Sequence, residues 1–568
     1  MIEFTGGAET RRIGVLALTE PMLQKLKFRE IVNRYCPIAP QGCLDNGLVS
    51  KIIVQSRLSD PRALYDITDW AEDYIITALY PEVESVNQLN DDRIGRMLDS
   101  IYEHTWHIWG ELITNAAQTF QVDFRRLHAD TKALTFAGEF PNQQEEEGVP
   151  RLEPGYNPKG VYAKQLKLFA LVTGDGAIPA WFDTLNGSTG DNNTYTPEFA
   201  AFREHAQLAH FLPLNETIIL GDQKMTSLKN QLTWLRLGIG YIGPLTMNKN
   251  HREKLASLLA SGRRWEKLPY VAQRDAEKPE GKAATYLGLG ENVEIKDPEN
   301  PEKTYTVHHL YIQSNTLKAQ EAKKRQKEME EIEKEIKRIQ GLVNKYDYTT
   351  PETIIRRVQQ KAFKKRRAQR FFRVEVVEHP DRENPLELVY TVDWEQVAHE
   401  AEFDGVYLLV AGGSATQLQD HEILAEWKGQ YRVEHRFRML NSIFLVSPIF
   451  LKTPKRIAAL LFLIMVGALV AGLIERQVRR AVTARKKPIR GLMPENRDNL
   501  RPTIKRIFKA FSGYGVVKLK NARGEVLTVF SDLTSVQAQI LEMLGLPPPA
   551  ETFSQKPVEG RQSLRKGE

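Results

Sequence analysis

The stretch Lys167-Leu-Phe-Ala-Leu-Val-Thr-Gly-Asp-Gly-Ala-Ile-Pro-Ala-Trp-Phe-Asp183 decides the fold class of this 568-residue chain. It contains two apolar runs on either side of an Asp-Gly pair, the dipeptide that supplies the turn of many β-hairpins. The stretch therefore predicts two adjacent antiparallel strands. Leu127-His-Ala-Asp-Thr131 before the hairpin and Thr217 to Gly221 after it are typical of further strands.

Helical spacing of apolar residues alternates with these strands. It predicts helices near Pro197 to His210 and from about Ser227 to Leu237, followed by a strand at Gly240. The order strand, hairpin, helix, strand, helix, strand is typical of an α/β fold, in which a mixed sheet is flanked by helices. Such an order can place Asp130 and Asp222 on neighbouring strands.

The N-terminal and middle parts of the chain have other patterns. Residues 1–122 have the spacing of short amphipathic helices and are predicted to form an all-helical N-terminal domain, with the first part of the core at 123–249. Residues 250–403 combine short strand candidates with a highly charged helix, so we interpret them as an α+β insertion. One face of that helix is apolar, which indicates that it packs on protein or pairs in a coiled coil.

The core is predicted to resume over 404–545, with a strand from Gly405 and a helix from about Asp420 to Leu440. Residues 546–568 are predicted to be a disordered tail. Within the 404–545 part, Ile457 to Ile474 carries no charge and just reaches the length of a membrane span. Basic residues flank this stretch on both sides, so the asymmetry that orients membrane helices is missing. A helix buried in a large domain is the favoured interpretation, and a membrane anchor is the alternative.

Composition narrows the class of protein further. Lysine and arginine exceed aspartate and glutamate by six, and the excess is concentrated in two blocks, at 356–370 and 476–490. Such blocks are often solvated faces, but they also suit a polyanionic partner such as nucleic acid. The two cysteines are too few for a zinc cluster or a disulfide framework, which fits a reducing compartment. The N-terminus lacks the pattern of a secretory signal, so we expect a cytoplasmic protein.

Three carboxylates stand in settings that favour metal binding. Asp130 and Asp222 lie on or after predicted strands, and Glu434 lies in a predicted helix, in Tyr431-Arg-Val-Glu-His-Arg-Phe-Arg438. Carboxylate oxygens suit Mg²⁺ or Mn²⁺, and two such ions about 3.5–4 Å apart can catalyse phosphoryl transfer. Each acid also has an ordinary interpretation, because Asp222 suits a turn or helix cap and Glu434 a surface ion pair. Three further aspartates compete for the ligand role, namely Asp123, Asp175 and Asp183.

These motifs, in this order, resemble bacterial insertion-sequence transposases of the DDE type. The resemblance is to the ribonuclease-H-like insertion sequence four superfamily, in the branch with a helical N-terminal domain. It rests on the following motifs: His128-Ala-Asp-Thr-Lys132, Gly155-Tyr-Asn-Pro-Lys159, Gly221-Asp-Gln-Lys-Met-Thr-Ser227, Asp404-Gly-Val-Tyr407, Trp427-Lys-Gly-Gln-Tyr-Arg-Val-Glu-His-Arg-Phe-Arg438 and Leu473-Ile-Glu-Arg476.

The resemblance implies that Asp130, Asp222 and Glu434 hold two Mg²⁺ or Mn²⁺ ions. It also implies a homodimer on double-stranded DNA that cleaves the ends of a mobile element and joins them to a target, in a bacterial cytoplasm and at the nucleoid when bound. The family's Tyr, Arg and Lys around the glutamate are replaced here by Trp427, Gln430 and Asn441.

The expected DNA contacts follow from these replacements. Arg432 or Arg438 would have to supply the missing positive charge. Further phosphate contacts are expected in the first basic block, from Lys364, Lys365, Arg366 and Arg367. His128 and His435 flank the carboxylates, and a structural role is expected for both. The replacements leave one alternative open, a catalytically inactive DNA-binding relative of a transposase.

Overall fold

The computed structural model describes most of the chain, in two compact units. One unit consists of Met1–Gly240 and Gly429–Glu568, and the other of Tyr241–Lys428. The ranges outside the description are 1–8, 39–41, 137–147, 157–161, 191–193, 206–215, 273–274, 276–282, 365, 435–436, 438–450, 452, 521–525 and 554–568. The compact unit in the middle of the chain extends beyond the expected insertion, 250–403, at both ends.

The N-terminal part of the first unit is helical, as its apolar spacing predicts, apart from a short strand β1 (Glu9–Arg12). Its helices are α1 (Leu16–Lys25), α2 (Phe28–Tyr35), α3 (Asn46–Ser59), α4 (Ile67–Asp73), α5 (Ile76–Leu79) and α6 (Asp91–Phe120). Side-chain caps fix where several of them begin. Asp45 accepts the backbone N–H of Leu48 at the start of α3, and Asn90 accepts that of Arg93 at the start of α6.

A mixed sheet follows α6 and confirms the predicted fold class. Its strands are β2 (Arg126–Thr135), β3 (Glu153–Tyr156), β4 (Tyr162–Thr173), β5 (Pro179–Leu185) and β6 (Ile218–Leu220). β4 and β5 form the predicted hairpin around Asp175-Gly176, and β4 also pairs antiparallel with β2 and β3. β2 and β6 are parallel. Antiparallel strands joined to a parallel one are the mixed arrangement that the order of elements indicates.

Helices cover this sheet through aromatic packing. Trp106 of α6 stacks on Trp181 of β5 with ring centroids 4.4 Å apart, and the indole N–H of Trp109 donates to the carbonyl of Ala180 at 2.9 Å. The helices α7 (Tyr195–His205) and α8 (Leu228–Arg236) follow β5 and β6, and Phe199 packs on Trp234 at 5.4 Å. The N-terminal helices thus share a core with the sheet.

The second unit begins with β7 (Gly240–Leu245) and contains an antiparallel sheet. The other strands of the sheet are β8 (Glu266–Leu268), β9 (Tyr286–Asp297), β10 (Asn300–Ser314) and, after a separate hairpin of β11 (Phe372–Glu378) and β12 (Leu386–Val392), β13 (Val406–Gly412). β13 pairs with β7 and β10, β10 with β9, and β9 with β8.

The helices of this unit are α9 (Lys249–Ala260), α10 (Asn315–Gln340), α11 (Pro351–Arg357), α12 (Trp394–Glu402) and α13 (Asp420–Lys428), with a π-helical segment Val358–Phe363 after α11. α10 is the predicted charged helix. Its apolar residues, including Ile332 and Ile336, pack in one core with Leu388 of the β11–β12 hairpin. The apolar face of α10 is therefore covered within its own chain, and no coiled-coil partner is needed to explain it.

The chain returns to the first unit with α14 (Pro454–Arg485), α15 (Ile504–Phe511), β14 (Gly515–Lys520), β15 (Val526–Phe530), α16 (Ser535–Leu544) and α17 (Pro549–Phe553). Among the described helices, α14 alone is long and apolar enough to cross a membrane. In the structure 94% of its most apolar window is buried inside the protein, where Phe462 lies 6.2 Å from Trp109. That is the arrangement expected of a core helix. α17 lies in the predicted disordered tail, so the start of that prediction is wrong.

Candidate active site

Asp130 lies in the middle of β2, half-buried and opposite Ala170 of β4. One carboxylate oxygen, Oδ1, accepts the backbone N–H of Thr131 at 2.8 Å. Side chains alternate along a strand, so His128, Asp130 and Lys132 belong to one face of β2. Burial lowers the pKa of Lys132, and the nearby charge of Asp130 partly restores it.

Asp222 follows β6 at the position that the parallel register aligns with Asp130. His128 is the partner of Leu220, and each aspartate lies two residues beyond its member of that pair. Neighbouring strands lie about 4.8 Å apart. The predicted placement on adjacent strands thus holds for Asp130, and Asp222 comes two residues after its strand ends.

The contacts of Asp222 show how its carboxylate is oriented. Oδ1 accepts the phenol O–H of Tyr195 at 2.8 Å and the backbone N–H groups of Lys224 and Met225 at 3.0 and 3.3 Å. The aspartate therefore shapes a turn, as its ordinary interpretation suggests. A carboxylate has further lone pairs, so this role leaves acceptor capacity for a cation.

Glu434 lies in a short helical turn, which corrects one prediction. α13 ends at Lys428, and Gly429 and Gln430 form a turn before residues 431–434 are helical again. The expected continuous helix from Asp420 to Leu440 is wrong at this turn, and its last residues lie outside the described part. The Glu434 side chain is exposed and makes no hydrogen bond or ion pair with a described residue.

Three contacts bring the segment that carries Glu434 onto β2. The Gln430 side chain donates to the carbonyl of Ala129 at 2.9 Å, and its Oε1 lies 3.2 Å from Nδ1 of His128. Farther along, Nζ of Lys132 donates to the carbonyl of Phe437 at 2.8 Å. Glu434 lies between these two anchor points in sequence. The segment that carries Glu434 is therefore held against β2 on both sides of this residue in sequence.

His128 links this segment to an arginine. Burial, followed by the charge of Arg432, lowers the pKa of His128 to about 3, so the ring is neutral near pH 7. A neutral ring that donates from Nδ1 to Gln430 offers Nε2 as an acceptor, and Nη1 of Arg432 lies 3.2 Å from it. The structural role expected for His128 is thus to hold Gln430 and Arg432. His435 lies outside the described residues.

The donor types suit a hard divalent cation, because Asp130, Asp222 and Glu434 all offer carboxylate oxygens. Within the described part of the chain, however, no group of three histidine, cysteine, aspartate or glutamate side chains is close enough to hold one ion. The residues fit such an ion in chemistry, and the β2–β6 register aligns Asp130 with Asp222. Closing the site would need the exposed Glu434 to turn toward Asp130.

The competing aspartates have other partners. Asp123 binds Arg125 in an ion pair, and Asp175 binds Arg476. Asp183 shares a buried position with Glu198, where burial raises the pKa of both carboxyls and the charge of Glu198 raises that of Asp183 further. These contacts explain the three aspartates without a metal.

The arginines and lysines expected to contact DNA differ in their surroundings. Arg366 is held by the carbonyls of Lys361 and Ala362 at 2.9 and 2.7 Å and faces Glu331 at 3.4 Å. This arginine therefore has a structural role. The side chains of Lys364 and Arg367 are exposed. Lys365 and Arg438 lie outside the described residues.

Sequence reasoning missed two residues of this region. Tyr195 is far from Asp222 in the chain, and only the fold brings its hydroxyl to that carboxylate. Gln430 departs from the pattern of the resemblance, and its bonds to His128 and Ala129 appear only in the fold. The one signal in the sequence is that this polar residue directly follows Gly429, which could have indicated a turn with a tertiary contact.

Comparisons with known proteins give one partial family match and several distant structures. Residues 8–113 match a family described as a domain of unknown function, DUF4277. No curated protein sequence matches the chain at a significant level.

Two solved structures illustrate the distant matches. A piggyBac transposase synaptic complex with hairpin DNA is 9% identical, covers 98% of this chain and 89% of its own, and has a TM-score of 0.37. A Mos1 transposase paired-end complex with the left transposon end is 13% identical, covers 39% and 67%, and has a TM-score of 0.15. Similarities of this size carry no conclusion about activity.

Proposed function

We propose that the protein is a DNA transposase that binds the terminal inverted repeats of an insertion sequence, cleaves the element ends and joins them to target DNA. The observation that supports this most is the arrangement around β2. Asp130 aligns in register with Asp222, and contacts of Gln430 and Phe437 hold the segment that carries Glu434 against β2. Two-metal phosphoryl transfer needs carboxylates from separate parts of the chain at one site, and this arrangement supports such a site.

Asp130, Asp222 and Glu434 would hold the divalent ions. Bound Mg²⁺ or Mn²⁺ would activate the attacking oxygen and neutralise charge on the phosphate. Two neighbouring residues, Tyr195 and His128, position other side chains of the site. Tyr195 fixes the direction of the Asp222 carboxylate, and the neutral His128 keeps Arg432 beside the site. Hydrolysis and strand transfer are the same in-line displacement at phosphorus, with water or a sugar hydroxyl as nucleophile, so one site can perform both.

The partner in this proposal is double-stranded DNA, held at two element ends by a homodimer. The N-terminal helices would bind the ends, and the exposed Lys364 and Arg367 would contact phosphates in the second unit. Phosphate contacts make binding steeply dependent on salt.

A cleavage assay tests the proposal. The substrate is a labelled duplex carrying the inverted repeat read from DNA beside the gene, incubated with purified protein and Mg²⁺. We expect cleavage at the element end, and at least a roughly thousand-fold loss after Asp130→Ala, because metal ligation stabilises the transition state by several kcal/mol. Asp123→Ala is the matched control, since that aspartate pairs with Arg125.

Full activity of Asp130→Ala would end the proposal. Specific binding of the ends without cleavage in either Mg²⁺ or Mn²⁺ would instead favour the inactive DNA-binding relative.

A further inference from the structure

A cavity rich in arginine lies beside the proposed active site in the first unit. It has a volume of about 460 Å³ and is bounded by the β4–β5 turn, by Arg432, by the C-terminal half of α14 and by Arg501. Tyr431, whose side chain is 49% exposed, stands at its edge. We call this cavity the arginine pocket.

Two of the five arginines that line the pocket are held by the protein itself. Arg476 donates to the carbonyls of Phe120 and Gln121 at 2.9 and 2.8 Å and also binds Asp175. Arg479 donates to the carbonyl of Pro502 at 2.9 Å and binds Glu475 at 2.8 Å. These pairs neutralise both carboxylates in the lining.

The other three arginines of the pocket, Arg432, Arg480 and Arg501, have no carboxylate in the lining to neutralise their charge. Nη1 of Arg432 lies 3.2 Å from Nε2 of His128, and no carboxylate in the described ranges forms an ion pair with this arginine. The exposed side chains of Arg480 and Arg501 make no hydrogen bond or ion pair to any residue in the described ranges. A pocket with three guanidinium groups whose charge is not neutralised is a site for an anion.

The helix geometry concentrates this charge. Arg476 and Arg480 are four residues apart on α14 and so lie on the same face. Because Arg476 already binds Asp175, the charge on this face that has no acidic partner is that of Arg480. A guanidinium group donates in a fork that matches two oxygens of a phosphate, which makes a phosphate group the anion of best fit.

We propose that the arginine pocket binds a phosphodiester of the DNA strand next to the bond that is cut. This inference rests on the proposed function, and it follows from connectivity. Arg432 comes two residues before Glu434, and Gln430 ties the same segment to Ala129, the neighbour of Asp130. Arg432 also lies 3.2 Å from His128, so an anion bound to it is next to the strand that carries Asp130.

The pocket also accounts for the departures from the family pattern. The positions where the resemblance expects Arg and Lys hold Gln430 and Asn441, which carry no charge. In this chain Gln430 is used to join the segment to β2, and the positive charge comes from Arg432 together with Arg480 and Arg501. The phosphate-binding role is thus shared between Arg432 in the glutamate segment and two arginines that follow later in the chain.

A scan with neutral phosphates tests the proposal. Duplexes carrying the element end, each with one methylphosphonate at a successive position around the cut, are bound to the wild-type protein and to Arg480→Ala/Arg501→Ala. We expect about a tenfold loss of wild-type affinity at one or two positions beside the cut. The double variant should bind the unmodified duplex about tenfold more weakly than the wild type does. Methylphosphonates at those positions should not lower its affinity further.

Two controls make the test specific. Arg485→Ala removes an arginine from the same helix that is outside the pocket and pairs with Glu542, and it should keep the wild-type profile. Arg480→Lys/Arg501→Lys keeps the charge and should retain the slope of log affinity against log salt. The alanine variant should reduce that slope by about 0.9 for each phosphate that the protein no longer neutralises.

The proposal is overturned if the double variant has wild-type affinity and slope, or shows the wild-type methylphosphonate profile. Cleavage by Asp130→Ala separates the two proposals. If Asp130→Ala cleaves DNA normally, the proposed function fails. If Asp130→Ala is inactive but the double variant shows the wild-type methylphosphonate profile, only the pocket inference fails.

Discussion

Tyr195 is the residue on which the geometry of Asp222 most depends. Its hydroxyl is the only side-chain donor to Oδ1 among the described contacts, since the other two donors are backbone N–H groups. Removing a group that orients a metal ligand lowers the metal affinity by about 10–100-fold. Tyr195 is thus a positioning residue for the proposed site.

Tyr195→Phe should raise the Mg²⁺ concentration needed for half-maximal cleavage by about tenfold, while its thermal stability falls only slightly, because one hydrogen bond contributes about 1 kcal/mol. A metal titration of the cleavage rate measures the effect. Tyr390→Phe is the matched control, since Tyr390 also donates to a carboxylate, Glu333 at 2.6 Å, in the second unit. An unchanged metal requirement would contradict the role of Tyr195.

The buried acid pair of Asp183 and Glu198 makes stability depend on pH. Burial raises the pKa of Glu198 from 4.5 to about 7, although bonds from Trp181 and Asp183 oppose the shift. The folded protein therefore keeps a proton that the unfolded chain releases above pH 4.5. The stabilisation is complete below that pH and is lost as pH rises through 7.

Glu198→Gln removes this titration. We expect unfolding free energy to fall less steeply in the variant than in the wild type between pH 5 and 7, by up to about 1.4 kcal/mol per pH unit. Denaturant unfolding at several pH values measures the slopes. Glu302→Gln, at an exposed carboxyl, should leave the wild-type slope in place. Parallel curves for wild type and Glu198→Gln would refute the buried pair.

At the scale of elements, the β4–β5 turn is where the hairpin meets α14. Gly176 has a φ of +85°, and a Cβ there would lie 2.8 Å from Cδ of Arg476. The Arg476 side chain is fixed by its bonds to Phe120 and Gln121, so it has little freedom to move away. The turn therefore requires glycine both for its conformation and for space.

Gly176→Ala should destabilise the protein by about 1 kcal/mol for the positive φ and by about 1–3 kcal/mol more for the overlap. Gly238→Ala is the matched control, since Gly238 has a φ of +71° and open space around it. Equilibrium unfolding compares the two. Equal decreases in stability would show that the overlap with Arg476 costs nothing.

The elements that the sequence predicts best are those decided by local chemistry. The hairpin follows from Asp175-Gly176 between two apolar runs, and the charged helix follows from the spacing of its apolar face. The helix through Glu434 is the clearest failure. Gly429 has low helix propensity, and the bonds of Gln430 to His128 and Ala129 stabilise a turn there. The glycine can be recognised in the sequence, but the sequence does not show that His128 and Ala129 lie next to Gln430.

At the scale of the molecule, long-range packing decides what the sequence leaves open. The spacing of apolar residues predicts the N-terminal helices, and the fold adds that Trp106 and Trp109 pack on β5. Which charges can bind a partner likewise depends on the fold. Arg366 belongs to a basic run, but it binds backbone carbonyls of its own unit. Arg480 and Arg501 are far from Arg432 in sequence, and all three line one cavity.

Only part of the candidate site could be predicted from the sequence. The order of elements predicts that Asp130 and Asp222 lie on or after neighbouring strands, and the register that aligns them is seen only in the structure. The position of Glu434 depends on contacts of Gln430 and Phe437 with residues about 300 positions away in the chain. That Glu434 is a metal ligand is accordingly the claim on which the proposed function depends most.

Cleavage by Glu434→Cys in two metals tests that claim most directly. A thiolate is a softer ligand than a carboxylate and suits Mn²⁺ better than Mg²⁺. The variant should be inactive on element-end DNA in Mg²⁺ and should recover a measurable part of wild-type cleavage in Mn²⁺. Wild-type activity of the variant in Mg²⁺, or no recovery in Mn²⁺ under conditions in which the wild type cleaves, would contradict it.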